Sequence, residues 1–129
     1  MRMDQLTSKL QSALAEAQSL ALGQDNQFIE PVHLVHAMVE QKGGSVRPLL
    51  AQTGFNLNEL RKGLKAIIDR LPKVEGGGGD VTMSNDLGRL MNLADKITQK
   101  NGDSFISSES VLLAAMADKG ELGQLLNSF

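Results

Sequence analysis

The two histidines of the chain, His33 and His36, are three residues apart, a spacing that places both on one face of a helix. Imidazole nitrogens arranged in this way can share a zinc ion. Two ligands do not fill a tetrahedral site, however, and the chain has no cysteine and no H-E-x-x-H sequence. We therefore expect no metal site, and we expect His33 to stabilise the start of a helix.

The remaining motifs do not indicate nucleotide binding or hydrolysis. The glycine run 76–79 is not followed by the Lys-Ser or Lys-Thr of a phosphate-binding loop, so we interpret it as a linker. No G-x-S-x-G sequence is present, and both histidines lie in one short segment, which gives a Ser-His-Asp triad no support. We expect no catalytic residue and no cofactor in this chain, and a function in binding other proteins.

The composition excludes further classes of function. Thirteen basic and fifteen acidic residues give a net charge of -2, and Tyr and Trp are absent, so we expect no nucleic-acid partner. Charged residues interrupt every apolar stretch near the start, and none is long enough to span a membrane. The absence of cysteine is typical of a reducing compartment, and we expect a cytoplasmic protein.

The spacing of apolar residues predicts an all-α fold. A first helix runs from Leu6 to Gly23, and Pro31 opens a second. A short third helix ends at Gly54, and a fourth ends before Pro72. Ser84 is a suitable N-cap for a fifth helix. Four helices are therefore predicted before the glycine run.

The chain contains an internal repeat. A shift of 77 positions places Thr7 on Ser84 and the Phe28-Ile29 step on Phe105-Ile106, and it needs no gap through Val39 and Met116. We expect a first helical unit at 1–72, a linker at 73–83 and a second unit at 84–129. The second unit ends where the first still has its fourth helix, so we expect the natural protein to continue.

One mismatch between the repeats indicates a binding surface. Glu16 in the first helix corresponds to Leu93, which lies at the edge of the apolar stripe of the fifth helix. Leu93 lines a groove between the units, lies partly in water, or packs against the other repeat. Burial of roughly 300 Å² in such a groove would contribute about 7 kcal/mol before the cost of association, which predicts weak, transient binding.

Several segments together resemble one family. They are 7–22, the run Asn26-Gln27-Phe28-Ile29-Glu30-Pro31-Val32-His33-Leu34, the turn Gly43-Gly44-Ser45-Val46, Val74-Glu75-Gly76 and Phe105-Ile106-Ser107-Ser108-Glu109. Over essentially the whole chain they resemble the N-terminal domain of ClpB-type disaggregases, within the Clp repeat N-domain family. The resemblance implies a double Clp N repeat, with two pseudo-symmetric helical bundles packed into one domain.

The resemblance also implies a set of substrate-binding residues, in which polar side chains lie beside an apolar groove. Carried over by position, these are Thr7, Leu90, Leu93, Ile97, Asp103, Glu109 and Ser110. Leu93 and Ile97 would line the groove with Leu90 below them, and Ser110 stands where relatives can be apolar. The polar residues also have structural interpretations, because Thr7 can cap a helix, Asp103 can end a turn, and Glu109 suits a helix start.

The family implies partners that lie outside this chain. The module would engage aggregated, misfolded or unfolded polypeptide for threading by ATPase rings, in a homohexamer that cooperates with a DnaK-type chaperone. ATP and Mg²⁺ would bind those absent ATPase modules. The alternative is an adaptor-docking N-domain of a ClpA/ClpC-type, protease-associated unfoldase.

Overall fold

A computed structural model describes residues 3–74 and 81–128, and the all-α prediction is confirmed. After a 3-10 turn at Met3–Gln5, the first unit contains α1 (Ser8–Gly23), β1 (Phe28–Ile29), α2 (Pro31–Glu40), α3 (Val46–Gln52) and α4 (Leu57–Asp69). β2 (Thr82–Met83) ends the predicted linker, and the second unit contains α5 (Asn85–Lys100), α6 (Ser108–Met116) and α7 (Glu121–Leu126).

Local capping fixes where the helices begin. The hydroxyls of Thr7 and Ser84 accept hydrogen bonds from the third amide of α1 and of α5, and Asn56 caps α4 in the same way. Pro31 is the first residue of α2, as predicted. The two short strands were not predicted, because two residues are too few to show an alternating pattern.

One apolar core joins the two units. The helices α1 and α2 pack together in the first unit, as α5 and α6 do in the second, and α2 also contacts both helices of that second pair. Leu10 and Leu87, which occupy equivalent repeat positions, are both fully buried. The core therefore continues across the boundary between the units.

The backbone also crosses between the units, in two reciprocal places. Leu6 of the first unit pairs with Ile106 of the second, and Ile29 of the first pairs with Met83, the residue directly before the second unit. In both cases the N-cap residue of a long helix donates its backbone N–H to an isoleucine carbonyl, from Thr7 to Ile106 at 3.0 Å and from Ser84 to Ile29 at 3.1 Å. These bridges are related by the 77-residue shift, so each unit supplies the hydrogen-bond acceptor for the N-cap residue of the other unit's long helix.

The ends of the predicted linker 73–83 are held in place. Lys73 pairs with Asn26, and Val74 donates its backbone N–H to the carbonyl of Asp25 at 2.8 Å. At the other end, β2 lies beside β1. The glycine run 76–79 lies outside the described residues.

Candidate functional site

The apolar edge of α5 carries three of the predicted site residues. Leu87 and Met91 face the core, whereas Leu93 lies on the flank of the helix and is 38% exposed. Leu90 is buried one turn before it, and Ile97 is partly buried one turn after it. This exposure means that Leu93 is not fully packed against the other repeat.

Leu93 and Leu90 line a cleft of about 270 Å³ between α5, the end of α6 and the start of α2. Its lining residues are Pro31, Asp86, Arg89, Leu90, Leu93, Ala114, Ala117, Asp118 and Lys119. We call this cleft the Leu93 groove. Two alanines on α6 leave space beside the leucines of α5, so the floor is apolar.

Charged residues surround that floor, and most are held by local contacts. Asp86 and Arg89 form an exposed ion pair of 2.6 Å within α5. The carboxylate of Asp118 accepts hydrogen bonds from the backbone N–H groups of Gly120 and Gly123, each at 3.2 Å. These charges form a polar rim around the apolar floor.

The equivalent position in the first unit is more polar. Glu16 replaces Leu93 there, and Ala13 replaces Leu90. Gln41, which ends α2 as Ala117 ends α6, donates its side-chain N–H to the carbonyl of Lys9 at 2.9 Å. The two leucines of the groove therefore have no leucine counterpart at the equivalent positions of the first unit.

Thr7 lies at the crossing between the units and Asp103 lies in the turn after α5, and neither lines the groove. The Thr7 hydroxyl caps α1, and its backbone N–H donates to Ile106 of the other unit. Asp103 is exposed and follows Gly102, whose φ of +77° forms the turn after α5. These are the structural interpretations that the sequence had left open, a helix cap for Thr7 and the end of a turn for Asp103.

Glu109, near the start of α6, accepts a hydrogen bond from the hydroxyl of Ser45, which precedes α3. That bond lowers the pKa of the Glu109 carboxyl from its ordinary value, with burial acting in the opposite direction. Glu109 therefore links the two units.

Ser110 is buried, and its side chain lies in a hydroxyl cluster with Thr98 at 3.3 Å and Ser107 at 3.4 Å. A ligand in the Leu93 groove cannot reach it without displacing α6. Ser110 therefore belongs to the packing between α5 and α6, and not to an accessible surface.

His33 is also fully buried, and both of its ring nitrogens are engaged. Nδ1 accepts a hydrogen bond from the backbone N–H of Glu30 at 2.8 Å, and Nε2 donates to Oδ1 of Asn26 at 2.8 Å. This arrangement fixes the neutral form of the ring and leaves no nitrogen for a metal, and it confirms a role at the start of α2. Within the described residues, no group of three or more potential ligands could hold a metal ion.

Comparison with known proteins decides the family. The Clp repeat (R) N-terminal domain matches residues 5–129. The chain is also 59% identical over 128 residues to the chaperone protein ClpB of Pseudomonas putida, an alignment that covers 99% of this chain and 15% of that protein. The chain belongs to the Clp repeat N-terminal domain family. It corresponds to the N-terminal domain of ClpB, a module without catalytic function.

Solved Clp N-domains have the same fold. The crystal structure of the Hsp104 N-terminal domain from Candida albicans matches with a TM-score of 0.85 and 19% identity, covering 95% of this chain and 80% of that one. A complex of the ClpV N-domain with a VipB peptide matches with a TM-score of 0.81 and 18% identity, covering 96% and 78%. Among the described residues of this Clp N-domain, no helix is long and apolar enough to cross a membrane.

Sequence reasoning found the leucines of the groove but missed Pro31, Ala114 and Ala117. The two alanines are three residues apart on α6, on the side that faces α5. Small residues at that spacing next to large ones are the signal that could have found them, because they create the space. Pro31 comes from the other unit, and only the fold brings it there.

Proposed function

We propose that this Clp N-domain is the substrate-binding module of an ATP-dependent protein disaggregase, and that it takes apolar side chains of aggregated or unfolded polypeptide into the Leu93 groove. The observation that carries the proposal is an apolar cleft whose two leucines are replaced by Glu16 and Ala13 in the other repeat. The relatives' name, chaperone protein ClpB, supports the same function.

The dimensions of the groove favour weak and rapidly reversible binding. At about 270 Å³ it lies just below the usual range for ligand pockets, roughly 300–1,000 Å³. Burial of roughly two Leu or Phe side chains contributes about 3–6 kcal/mol. Association costs about 4–15 kcal/mol, so one groove gives affinities of about micromolar or weaker even with added backbone contacts. A module with such affinity binds many unfolded chains in turn and releases them to the ATPase modules.

The polar rim supports binding of extended or helical backbone without selecting one sequence. Asp86 and Arg89 present both signs of charge beside Leu93. Exposed ion pairs of this kind contribute little to binding affinity. They also interrupt the apolar surface around Leu93. The apolar floor would therefore provide most of the binding free energy.

Leu93→Asp tests this proposal, with Leu22→Asp as the matched control. Leu22 on α1 and Leu93 on α5 are both exposed, but Leu22 lies outside the groove. We expect Leu93→Asp to weaken binding of a labelled, unfolded casein at least about tenfold, the factor that corresponds to about 1.4 kcal/mol. Leu22→Asp should change it less than twofold. Equal binding by Leu93→Asp and the parent chain, both folded by circular dichroism, would remove the groove from the proposal.

A second candidate is docking of one defined adaptor, as in ClpA- and ClpC-type unfoldases. The complex of the related ClpV N-domain with a VipB peptide favours it, because that domain forms a complex with a peptide of a named protein. Competition distinguishes the two functions. A substrate-sampling groove should be blocked by many unrelated unfolded chains, whereas an adaptor site should be blocked by one.

The chain spans 15% of the ClpB relatives it matches, so the larger assembly belongs to this proposal as well. We propose a cytoplasmic homohexamer that binds ATP and Mg²⁺ in modules beyond these residues and that cooperates there with a DnaK-type chaperone.

A further inference from the structure

A second cleft lies between α2 and α4 in the first unit. Its volume is about 320 Å³, and it shares no lining residue with the Leu93 groove. Each lining side chain carries a charge or a hydrogen-bonding group, and the set is His36, Glu40, Asn58, Arg61, Lys62 and Lys65. We call this cleft the basic cleft. Because none of these residues is apolar, the basic cleft suits a charged ligand.

The wall formed by α4 is a stripe of hydrogen-bond donors. Its members follow the spacing i, i+3, i+4 and i+7, which places them on one face of a helix: Asn58, Arg61, Lys62 and Lys65. All four are exposed, because the apolar side of α4 is buried in the core. The stripe carries three positive charges and no negative charge.

The wall formed by α2 carries the only carboxylate among the described lining residues, and that carboxylate is already bound. Glu40 accepts two hydrogen bonds from Arg61, from Nε to Oε1 and from Nη2 to Oε2, the second at 3.2 Å. This fork occupies both carboxylate oxygens. Glu40 therefore neutralises Arg61 and leaves the two lysines of the stripe without a carboxylate from α2.

The two lysines have little compensation from elsewhere. Lys62 lies 3.8 Å from the carboxylate of Glu59, and both side chains are largely exposed, so this ion pair is weak. Lys65 forms no ion pair within residues 3–74 and 81–128. It also stands one turn from Arg61, and like charges at that spacing repel. The basic cleft thus holds uncompensated positive charge in a chain whose net charge is -2.

His36 lies close enough to these cations to report on them. Burial lowers the pKa of His36 below its ordinary value of 6.5, the carboxylate of Glu40 raises it, and the charges of Arg61 and Lys65 lower it further. The ring is therefore mostly neutral at pH 7.5 and offers one N–H donor. An anion in the basic cleft would oppose the effect of the two cations.

We propose that the basic cleft binds an acidic segment of a partner polypeptide, whose side-chain carboxylates lie between Lys62, Lys65 and His36. Ammonium groups are point charges that accept a carboxylate from many directions. A phosphate is bound best by a free guanidinium fork, and Glu40 occupies the fork of Arg61. No aromatic residue lines the cleft to stack a base, and three cations on one helix are too few to follow a nucleic-acid backbone.

Fluorescence anisotropy of a labelled oligoglutamate peptide tests this proposal, with oligoglutamine as the neutral control. We expect oligoglutamate to bind at low salt and to be released as salt screens the charges, and oligoglutamine not to bind. The Lys62→Gln/Lys65→Gln variant should bind at least about fivefold more weakly, since one exposed ion pair contributes a factor of up to about five. Lys96→Gln/Lys100→Gln removes the same charge from exposed positions of α5 and should change binding less than about twofold.

Glu40→Gln should have the opposite effect. Loss of its carboxylate frees Arg61 for the ligand, so oligoglutamate should bind at least about threefold more tightly, a gain that partial unfolding cannot produce. Asp95→Asn removes the same charge from α5 and should change binding less than about twofold. In an NMR titration of the parent chain, oligoglutamate should raise the pKa of His36, because nearby carboxylates favour the charged ring.

Equal weakening by the lysine pairs of α4 and α5 would show that binding follows net charge alone, and would overturn the proposal. Weaker binding by Glu40→Gln, or an unchanged pKa of His36 with saturating peptide, would also overturn it. Displacement of the peptide by an equal or lower concentration of inorganic phosphate would assign the basic cleft to phosphate instead. Oligoglutamate has no apolar side chain, so these results do not depend on the Leu93 groove.

Discussion

Acid should destabilise the domain through His33, and the structure sets the size of the effect. Burial, with a smaller contribution from His36, lowers the pKa of His33 from 6.5 to about 4. The unfolded chain takes up a proton near pH 6.5, whereas the folded chain takes it up only near pH 4. Acid therefore favours the unfolded state, and the stability that His33 provides is complete above pH 6.5 and lost as the pH falls through 4.

The expected loss follows from this difference in pKa. With 1.36 kcal/mol per pKa unit, the free energy of unfolding should fall by about 2 kcal/mol between pH 8 and pH 5 and by about 3 kcal/mol by pH 4. That is a large share of the 5–15 kcal/mol typical of a domain. His36, whose pKa is also lowered chiefly by burial, adds to the loss in the same direction.

Urea unfolding at a series of pH values measures this effect in the parent chain, in His33→Gln and in the control His36→Gln. His33→Gln should be less stable at pH 8, because it disturbs the contacts with Glu30 and Asn26, but its stability should change less between pH 8 and pH 4. His36→Gln should keep most of the steep dependence. An NMR titration should show the His33 ring neutral down to about pH 4. The reasoning is refuted if His33→Gln and the parent chain lose stability in parallel.

Two further predictions concern glycines and helix caps, and both are measured by urea unfolding at pH 7.5. Gly123→Ala should cost about 3 kcal/mol, because the new Cβ would overlap the backbone carbonyl of Asp118, whereas Gly88→Ala meets nothing within 4 Å in α5 and should add about 0.5–1 kcal/mol. Equal effects of the two substitutions would contradict the packing of α7. Thr7→Ala and Ser84→Ala should each cost about 1 kcal/mol through the lost cap, and a loss of zero at either position would show that water replaces the hydroxyl.

The helices could be predicted from the sequence because their signals are local. Pro31 and Ser84 mark helix starts through backbone chemistry that does not depend on the rest of the fold. The exposure of Leu93 depends on the residues that face it, and the repeat mismatch with Glu16 and the family resemblance were the two indications of it. The groove needed distant residues, such as Pro31 from the other unit, so its shape could not be read from spacing.

Ser110 is a residue whose burial could not be predicted from the sequence. A serine near the start of a helix is usually exposed, and the resemblance placed it beside the groove. It is buried because Thr98 offers a hydroxyl on the facing helix, and His33 occupies the equivalent buried position in the first unit. A polar residue can enter a core when its partner is supplied by another helix, and sequence alone does not reveal that partner.

The crossed backbone bridges affect how the protein emerges from the ribosome. The amide of Thr7 has its acceptor on Ile106, so about a hundred residues must be translated before that bond can form. At synthesis rates of about 5–20 residues per second, the Thr7 amide waits roughly 5–20 s for its acceptor, and the completed first unit spends part of that time with its apolar edge unpaired. Slowing translation between the two units should therefore raise the yield of aggregated product.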